Sequence, residues 1–368
     1  MTQSSGVTIP ADRLSALVAR LFVAAGIPER AAQTAADALV DADLDGVSSH
    51  GVMLVDMYLD RIRRGSVSTE EAGVVVSDKD ATVVLDARHA LGQLTADQAI
   101  KIAVERARRH GVGIVAVRHG FHFGTARRYA IQAARADCVG IVMCNTRPLM
   151  PAPGGAERLV GNNPIAIAVP TDGPIPIVLD MATSEAAMGK IRMAEKAGQT
   201  IPESWAVKSD GSATSSPSEA IAGMLLPSGG PKGFGLAFLI DLLCGLLSGG
   251  ASGGAVQPLY GDATIAYDSS HLFIAIDVAH FGDPATVRAA AAAAAARIRS
   301  GKRAPGVSQL FAPGEPEWRK RESAAGQVHL TPAVAEMLTR LARELRVSAM
   351  PLARDDERSI QEPGHAQA

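Results

Sequence analysis

Two histidines stand in turns where an imidazole could exchange a proton with a ligand. His50 lies in Gly46-Val-Ser-Ser-His50-Gly51, directly after Ser49, and His122 lies in Arg118-His-Gly-Phe-His122-Phe-Gly124. Imidazole titrates near pH ~6.5, so it gives or takes a proton under ordinary conditions. Plainer work fits the same residues, because a histidine in a turn is commonly solvated or a cap. His119 and His122 have a loose metal-ligand spacing, yet no carboxylate or cysteine stands near them in the chain. A loop-lining role is the better reading of that pair, and no metal is expected.

Anion binding is the second chemistry. Residues Val160 to Lys190 carry two polar clusters, Gly161-Asn-Asn-Pro164 and Asp180-Met-Ala-Thr-Ser184, joined by the apolar runs Ile165–Val169 and Ile175–Leu179. Both runs have the length and β-branched content of buried strands. Asp180 to Ser184 fall where the second strand should open into a helix, a junction that offers backbone N–H groups to an anion. The plain alternative is a helix with Ser184 as its N-cap. Pro227-Ser-Gly-Gly-Pro-Lys232-Gly puts a lysine in a Gly-rich turn before an apolar helix, which suits a phosphate. It is not a P-loop, since Gly233 stands where Ser or Thr would follow the lysine, and an ordinary surface loop is the alternative.

Helices and strands must position these turns. Thr8 and Pro10 open a helix to about Ala25, and Pro28 opens another towards Asp45. An amphipathic stretch from Val52 to Arg64 follows His50, which then sits at a positive helix end that disfavours imidazolium. Val74–Val76 and Thr82–Leu85 read as a strand pair, and Thr95 as the cap of a helix to His110. Gly111-Val-Gly113-Ile-Val-Ala116 matches a dinucleotide fingerprint, but it follows a helix and enters a strand. The mechanism needs the reverse order, so the Rossmann reading fails and Gly111 is a helix C-cap. Further strands are expected at Ile114–Val117, Val139–Cys144, Thr264–Ala266 and Leu272–Asp277. Helices are expected over Thr125–Arg135, Met188–Ala197, onward to Leu247, Pro284–Arg299 with Asp283 as cap, and Pro332–Arg346, with Ile201 to Pro217 at the surface.

At 368 residues, two packed domains are the expectation. A net charge of -2 supplies no basic field for nucleic acid. Three cysteines without CxxC spacing indicate neither a disulfide framework nor a zinc knuckle. The N-terminus lacks a leader pattern, and the greasy run Phe234 to Leu247 is short and broken by Asp241, so a cytoplasmic protein without a membrane span is expected.

Taken together, Ser49-His-Gly51, Arg118 to Gly124, Gly154-Gly155, Gly161-Asn-Asn-Pro164, Asp180-Met-Ala-Thr-Ser184, Lys232-Gly233 and Pro313-Gly-Glu315 resemble the malate/L-lactate dehydrogenase family. That family includes sulfolactate, ureidoglycolate and diketogulonate dehydrogenases and piperideine-carboxylate reductases. The resemblance implies an α/β, non-Rossmann fold with a central, largely antiparallel mixed sheet. Residues 1–68 and 315–352 would form a helical domain, 69–314 a cofactor-binding domain with a small inserted subdomain, and 353–368 a disordered tail. It implies NAD or NADP, a small-molecule substrate, a homodimer, and hydride transfer between a 2-hydroxy acid and its 2-oxo acid.

By the same resemblance His50 is the proton donor and Ser49 positions it, while some members give that role to the histidine here numbered His122. Cofactor contacts carry over to His122, Phe123, Gly124, Thr125 and Ala126, to Asp180, Met181, Ala182, Thr183 and Ser184, and to Lys232, Gly314 and Glu315. Three positions depart from the family. Leu54 replaces an arginine that binds the substrate carboxylate, Asn162 takes the substrate-facing place in Gly-Asn-Asn-Pro, and Lys190 stands where some members carry a carboxylate. The carboxylate must then be bound elsewhere, with Asn162, Lys190 and Arg147 as candidates. Two alternatives stay open: reduction of a cyclic imine carboxylate, and a non-catalytic cofactor-binding paralogue.

Overall fold

The computed structural model describes residues 6–348, so the tail expected at 353–368 lies outside the described residues. In chain order they form β1 (Val7–Pro10), α1 (Ala11–Ala24), α2 (Glu29–Leu44), α3 (Val55–Arg63), β2 (Val74–Lys79) and β3 (Thr82–Asp86). Next come α4 (Gly92–His110), β4 (Val112–Gly120), α5 (Ala126–Arg135), β5 (Cys138–Cys144), β6 (Ile165–Val169) and β7 (Ile177–Met181). An insertion follows, of α6 (Met188–Lys196), β8 (Ala206–Val207), α7 (Pro217–Ala222) and β9 (Met224–Leu225). The chain continues through α8 (Pro231–Ser248), β10 (Ser269–Asp277), α9 (Pro284–Arg299), α10 (Glu315–Ala324), β11 (Gln327–Leu330) and α11 (Pro332–Glu344). It divides into two compact units, one reaching Asp56 and resuming at Arg321, the other Met57–Lys320.

The larger unit is built on a sheet of order β2-β3-β4-β10-β5-β6-β7. Only β3 and β4 run parallel; the other neighbours are antiparallel, so this is the mixed, non-Rossmann sheet expected. α4 and α5 cover one face with alanines, among them Ala99, Ala103, Ala107, Ala130 and Ala133. Small side chains let these helices approach the strands closely, and a Cβ on Gly113 would run into the carbonyl oxygen of Ala103. That accounts for one glycine of the false fingerprint. The other, Gly111, caps α4 in the left-handed region at φ 84, where glycine alone carries no steric cost.

α8 covers the opposite face, setting Ile240 and Cys244 against Ala116, Met143 and Leu272. At 18 residues it is long and apolar enough to cross a membrane by length and composition. Its Asp241, however, is buried and accepts from Asn145 Nδ2 at 2.9 Å and from Gly253 N at 2.8 Å, bonds that tie the helix to its own domain. The insertion has a separate small core around Met150, Ile191, Ile201, Ala206 and Leu225. Part of the 201–217 stretch expected at the surface is therefore buried. Thr264–Ala266 is not a strand. The carbonyls of Pro258, Leu259 and Ile265 accept from the buried Arg61 guanidinium instead, so this backbone is folded around a cation and not paired in a sheet.

In the smaller unit α1 and α2 pack through Leu14, Leu17, Leu21, Ala32, Ala35 and Leu39, all fully buried. Gly26 and Pro28 separate the two helices as expected. β1 pairs antiparallel with β11, a contact absent from the sequence reading because two four-residue strands from opposite ends of the chain carry no local signature. Arg321 joins Asp41 at 3.1 Å and Asp45 at 2.7 Å.

Candidate active site

β4 ends at Gly120, and Phe121 and His122 lead from it into α5. The first residue of α4, Gly92, meets this turn so closely that a Cβ would strike the carbonyl oxygen of Phe121. This contact requires glycine at position 92, and α4 starts there and not at Thr95, the expected cap. Thr95 sits inside the helix and its hydroxyl donates to Gly92 O at 3.3 Å. His122 Nδ1 lies 2.6 Å from the hydroxyl of Tyr58 on α3, and Gln93 Nε2 donates to that hydroxyl at 3.0 Å. Burial holds the Tyr58 phenol well above its usual pKa, so it stays neutral. The Tyr58 ring meets Phe121 edge-on at 5.0 Å, and Phe121 meets Tyr267 at 6.1 Å.

Of the residues after His122, Phe123 and Ala126 are sealed in the core, and Phe123 O accepts from Tyr129 OH at 2.7 Å. Gly124 adopts φ 84 next to Gln93, and Thr125 holds the N-cap position of α5 without a side-chain cap bond. His119 is committed elsewhere: its Nδ1 is 3.0 Å from Asp86 and its ring rests on His89.

Asp180 and Met181 close β7, and Asp180 Oδ2 accepts from Arg127 N at 3.0 Å, capping the start of α5. The helix expected to open at Ser184 starts later, at Met188, because the intervening backbone is engaged sideways. Thr183 N donates to Asn162 O at 3.2 Å and Glu185 N to Leu226 O at 2.8 Å, while the Ser184 hydroxyl donates to Ala186 O at 2.9 Å. Thr183 N, one of the N–H groups expected to face an anion, is thereby used, and Ser184 is not a helix cap. Lys232 is exposed in the first turn of α8, after Gly230 and Pro231, where the leading N–H groups of a helix lack intrahelical partners. Gly314 adopts φ 89 against Val178 of β7, whose N donates to Pro313 O at 3.2 Å. Glu315 accepts from Ala312 N and pairs with Arg299, which fixes that turn.

A cavity of about 510 Å³ opens beside Glu185, lined among others by Pro151, Gly155, Pro227, Gly229 and Gly230. Two buried polar atoms flank the stretches expected to meet a cofactor and find no partner among the described residues: Gln93 Oε1, by the His122 turn, and Thr183 Oγ1. A buried polar atom left over in this way calls for a partner, whether water, an ion or a ligand. With the cavity and the α8 N-terminus, they fit a dinucleotide.

Ser49 and His50 lie in the smaller unit, on a 3-10 turn, Ser48–His50. The Ser49 hydroxyl is 2.9 Å from His50 Nδ1. Gly51 follows, where a Cβ would collide with the Asp43 carboxylate, and Asp43 Oδ2 accepts from Val52 N at 2.8 Å. His50 closes its own 3-10 turn, and after Gly51 the chain runs straight into the 3-10 turn Val52–Leu54 and α3, so His50 sits just ahead of a helix start, as expected. Its pKa is lowered, and the cause is burial. Leu54 ends a second 3-10 turn and is 2% exposed, its side chain inside the packing. In the larger unit Asn162 Oδ1 accepts from Thr146 Oγ1 at 3.1 Å, and Lys190 is exposed on α6. Tyr58 and Gln93 were missed in the sequence. The available signal was a tyrosine on an amphipathic helix, whose hydroxyl must find a partner once buried.

The sequence pattern of the malate/L-lactate dehydrogenase family matches residues 9–339. The chain belongs to this family. It is therefore an oxidoreductase acting on the CH–OH group of hydroxy acids with a nicotinamide cofactor. It is 36% identical to malate dehydrogenase of Pyrococcus abyssi, covering 94% of this chain and 96% of that one. To ureidoglycolate dehydrogenase (NAD(+)) of Escherichia coli it is 33% identical, covering 86% and 90%. A relative named for the other cofactor, (2R)-3-sulfolactate dehydrogenase (NADP(+)) of Chromohalobacter salexigens, is 36% identical over 71% of this chain and 78% of its own. Among solved structures, sulfolactate dehydrogenase from Methanocaldococcus jannaschii superposes with a TM-score of 0.88 at 33% identity, covering 92% of this chain and 98% of that one. Delta1-piperideine-2-carboxylate reductase from Pseudomonas syringae pvar. tomato gives 0.82 at 28% identity, covering 91% and 99%.

Proposed function

We propose that this enzyme interconverts a small 2-hydroxy acid and its 2-oxo acid with NAD or NADP, and that His50 carries the proton. A bound nicotinamide supplies or accepts the hydride. The observation that carries the reading is the Ser49 hydroxyl 2.9 Å from His50 Nδ1, which holds the ring and leaves Nε2 as the exchanging atom. Because burial lowers its pKa, His50 is neutral at neutral pH and takes the hydroxyl proton of a 2-hydroxy acid. In the opposite direction a bound carboxylate favours the imidazolium, which donates to the forming alkoxide.

His122 is turned by Tyr58, and its other nitrogen serves substrate and nicotinamide orientation. Asp180 to Ser184, the Gly314-Glu315 turn and Lys232 at the α8 N-terminus hold the cofactor, the lysine by its charge on phosphate. Leu54, buried beside the Ser-His-Gly turn, puts no charge there for a second carboxylate, which favours larger monocarboxylic acids over small dicarboxylates such as oxaloacetate.

The second reading is reduction of a cyclic imine carboxylate. Leu54 favours it along with the likeness to the piperideine-carboxylate reductase, and an iminium arrives already protonated and needs no acid. Following the nicotinamide absorbance with 2-oxo acids and cyclic imines decides between them. Turnover of the first class alone supports the reading, and turnover of imines alone replaces it. Cofactor binding with neither activity leaves a non-catalytic paralogue.

The protein works as a homodimer in the cytoplasm. The support for a dimer is the outer side of α8, which exposes Leu236, Phe238, Leu239, Leu243, Leu246 and Leu247. Support for a reducing compartment is that Cys138, Cys144 and Cys244 are free thiols. Sedimentation of wild type as a dimer and of Leu246→Asp as a monomer is the expected result. A monomeric wild type contradicts the dimer.

A further inference from the structure

Arg61 and Arg147 are two arginines withdrawn from water, with opposite fates. Arg61 is 1% exposed and spends its guanidinium on the carbonyls of Pro258, Leu259 and Ile265 and on the Ser66 hydroxyl. It is saturated, and its work is to hold a loop. Arg147 is half-buried, and among the described residues its guanidinium makes no ion pair and no hydrogen bond. Burial lowers its pKa first, and Arg158 and Arg192 lower it further, with only the Tyr267 phenol acting the other way. Arg158 gives its donors to the carbonyls of Ala222 and Gly223, so it brings no acid into the neighbourhood. A partly desolvated guanidinium facing other cations is costly unless an anion completes it.

The backbone beneath Arg147 is fixed. Asn145 is fully buried and donates from Nδ2 to Asp241 Oδ1 at 2.9 Å and to Ala251 O at 2.8 Å, and its Oδ1 accepts from Ser270 N at 2.7 Å. Thr146 N donates to Asn163 Oδ1 at 2.8 Å and its hydroxyl to Asn162 Oδ1 at 3.1 Å. Arg147 therefore projects from a preorganised loop. Its charge acts on the Tyr267 phenol, whose ring is 6.1 Å from Phe121, the residue before His122. The other two candidates for the substrate carboxylate are weaker. Lys190 is exposed, and Asn162 has no charge and spends its Oδ1 on Thr146.

Resting on the proposed 2-oxo acid chemistry, we propose that Arg147 binds the substrate carboxylate in place of the arginine that Leu54 replaces, through a two-pronged guanidinium–carboxylate contact. The substrate class follows as a 2-oxo or 2-hydroxy monocarboxylate whose acid group points to the Asn145-Thr146-Arg147 loop.

The test compares wild type, Arg147→Met and Arg147→Lys on the best 2-oxo acid and on its neutral amide, with reduced-cofactor affinity read separately by fluorescence. Arg147→Met should raise KM for the acid about a hundredfold, the scale of a lost charge-assisted contact, with unchanged cofactor affinity. It should also lose the preference of acid over amide, and Arg147→Lys should recover part of both, because it keeps charge without the planar fork. Wild-type turnover combined with an unchanged KM in Arg147→Met overturns the Arg147 assignment alone. A KM rise that falls equally on acid and amide, or one matched by lost cofactor affinity, also overturns it. No turnover of any 2-oxo acid by wild type overturns the reaction class and this assignment with it.

Discussion

At His50 the group on Nδ1 is the hydroxyl of the preceding residue, 2.9 Å away, whereas at His122 it is a phenol 64 positions upstream, 2.6 Å away. The first arrangement is local, made within a 3-10 turn whose glycine must clear Asp43. The second is made by tertiary packing, with a buried tyrosine and Gln93 behind it. A ring held by its own neighbour keeps its orientation when distant parts shift, and the serine contributes little else. A ring held by a buried phenol depends on the packing of two helices. A third histidine, His271, sharpens the contrast. It is fully enclosed, with Nε2 2.8 Å from the Ser269 hydroxyl and its ring 4.7 Å from Phe123. Burial drives its pKa down to about 3, so it is a neutral packing residue.

The largest effect should come from His50→Ala, which is expected to lower turnover at least about a hundredfold while cofactor affinity, measured by fluorescence, stays as it was. Tyr58→Phe removes the partner of His122 and should cost about tenfold in kcat/KM, the scale of one lost hydrogen bond. A loss greater than that of His50→Ala would reverse the assignment of roles. Lys232→Met should weaken cofactor binding by about tenfold, and wild-type affinity should fall with added salt, as screening of an exposed charge requires. Calorimetry indifferent to both changes would return that turn to an ordinary loop. Ser49→Ala should cost less than Tyr58→Phe, only a few-fold, since the turn itself survives.

His271 should leave turnover alone and show itself in stability. Its folded pKa lies below the unfolded value, so the unfolded chain binds more protons between pH 6.5 and about 3. Stability is complete above that window and falls as pH drops through it, by about 1.4 kcal/mol per pH unit for this group. Urea unfolding across the window should show a shallower slope in His271→Gln, and identical slopes would contradict the buried neutral ring.

Much of this was legible in the sequence where the cause is local. Gly111 as a cap, Asp283 as the N-cap of α9 accepting from Thr286 N, and the strand pair around Asp80 all follow from neighbouring residues. The Ser49–His50 contact is legible for the same reason. What could not be read was non-local. Thr95 has the pattern of a helix cap, but α4 begins three residues earlier at Gly92, where the Phe121 backbone leaves no room for a Cβ. The segment after Asp180 has a helix-cap pattern, and its backbone is taken by Asn162 and Leu226. Tyr58 and Gln93 share no spacing with His122 that a pattern could detect.

The most direct measurement is the pH dependence of kcat/KM for 2-oxo acid reduction in wild type, His50→Gln and His122→Gln. If His50 donates the proton, the wild-type rate falls as pH rises through a pKa below the ordinary imidazole value, the direction set by its burial. That limb should vanish in His50→Gln and persist in His122→Gln. A limb that persists in His50→Gln and disappears in His122→Gln would contradict the account.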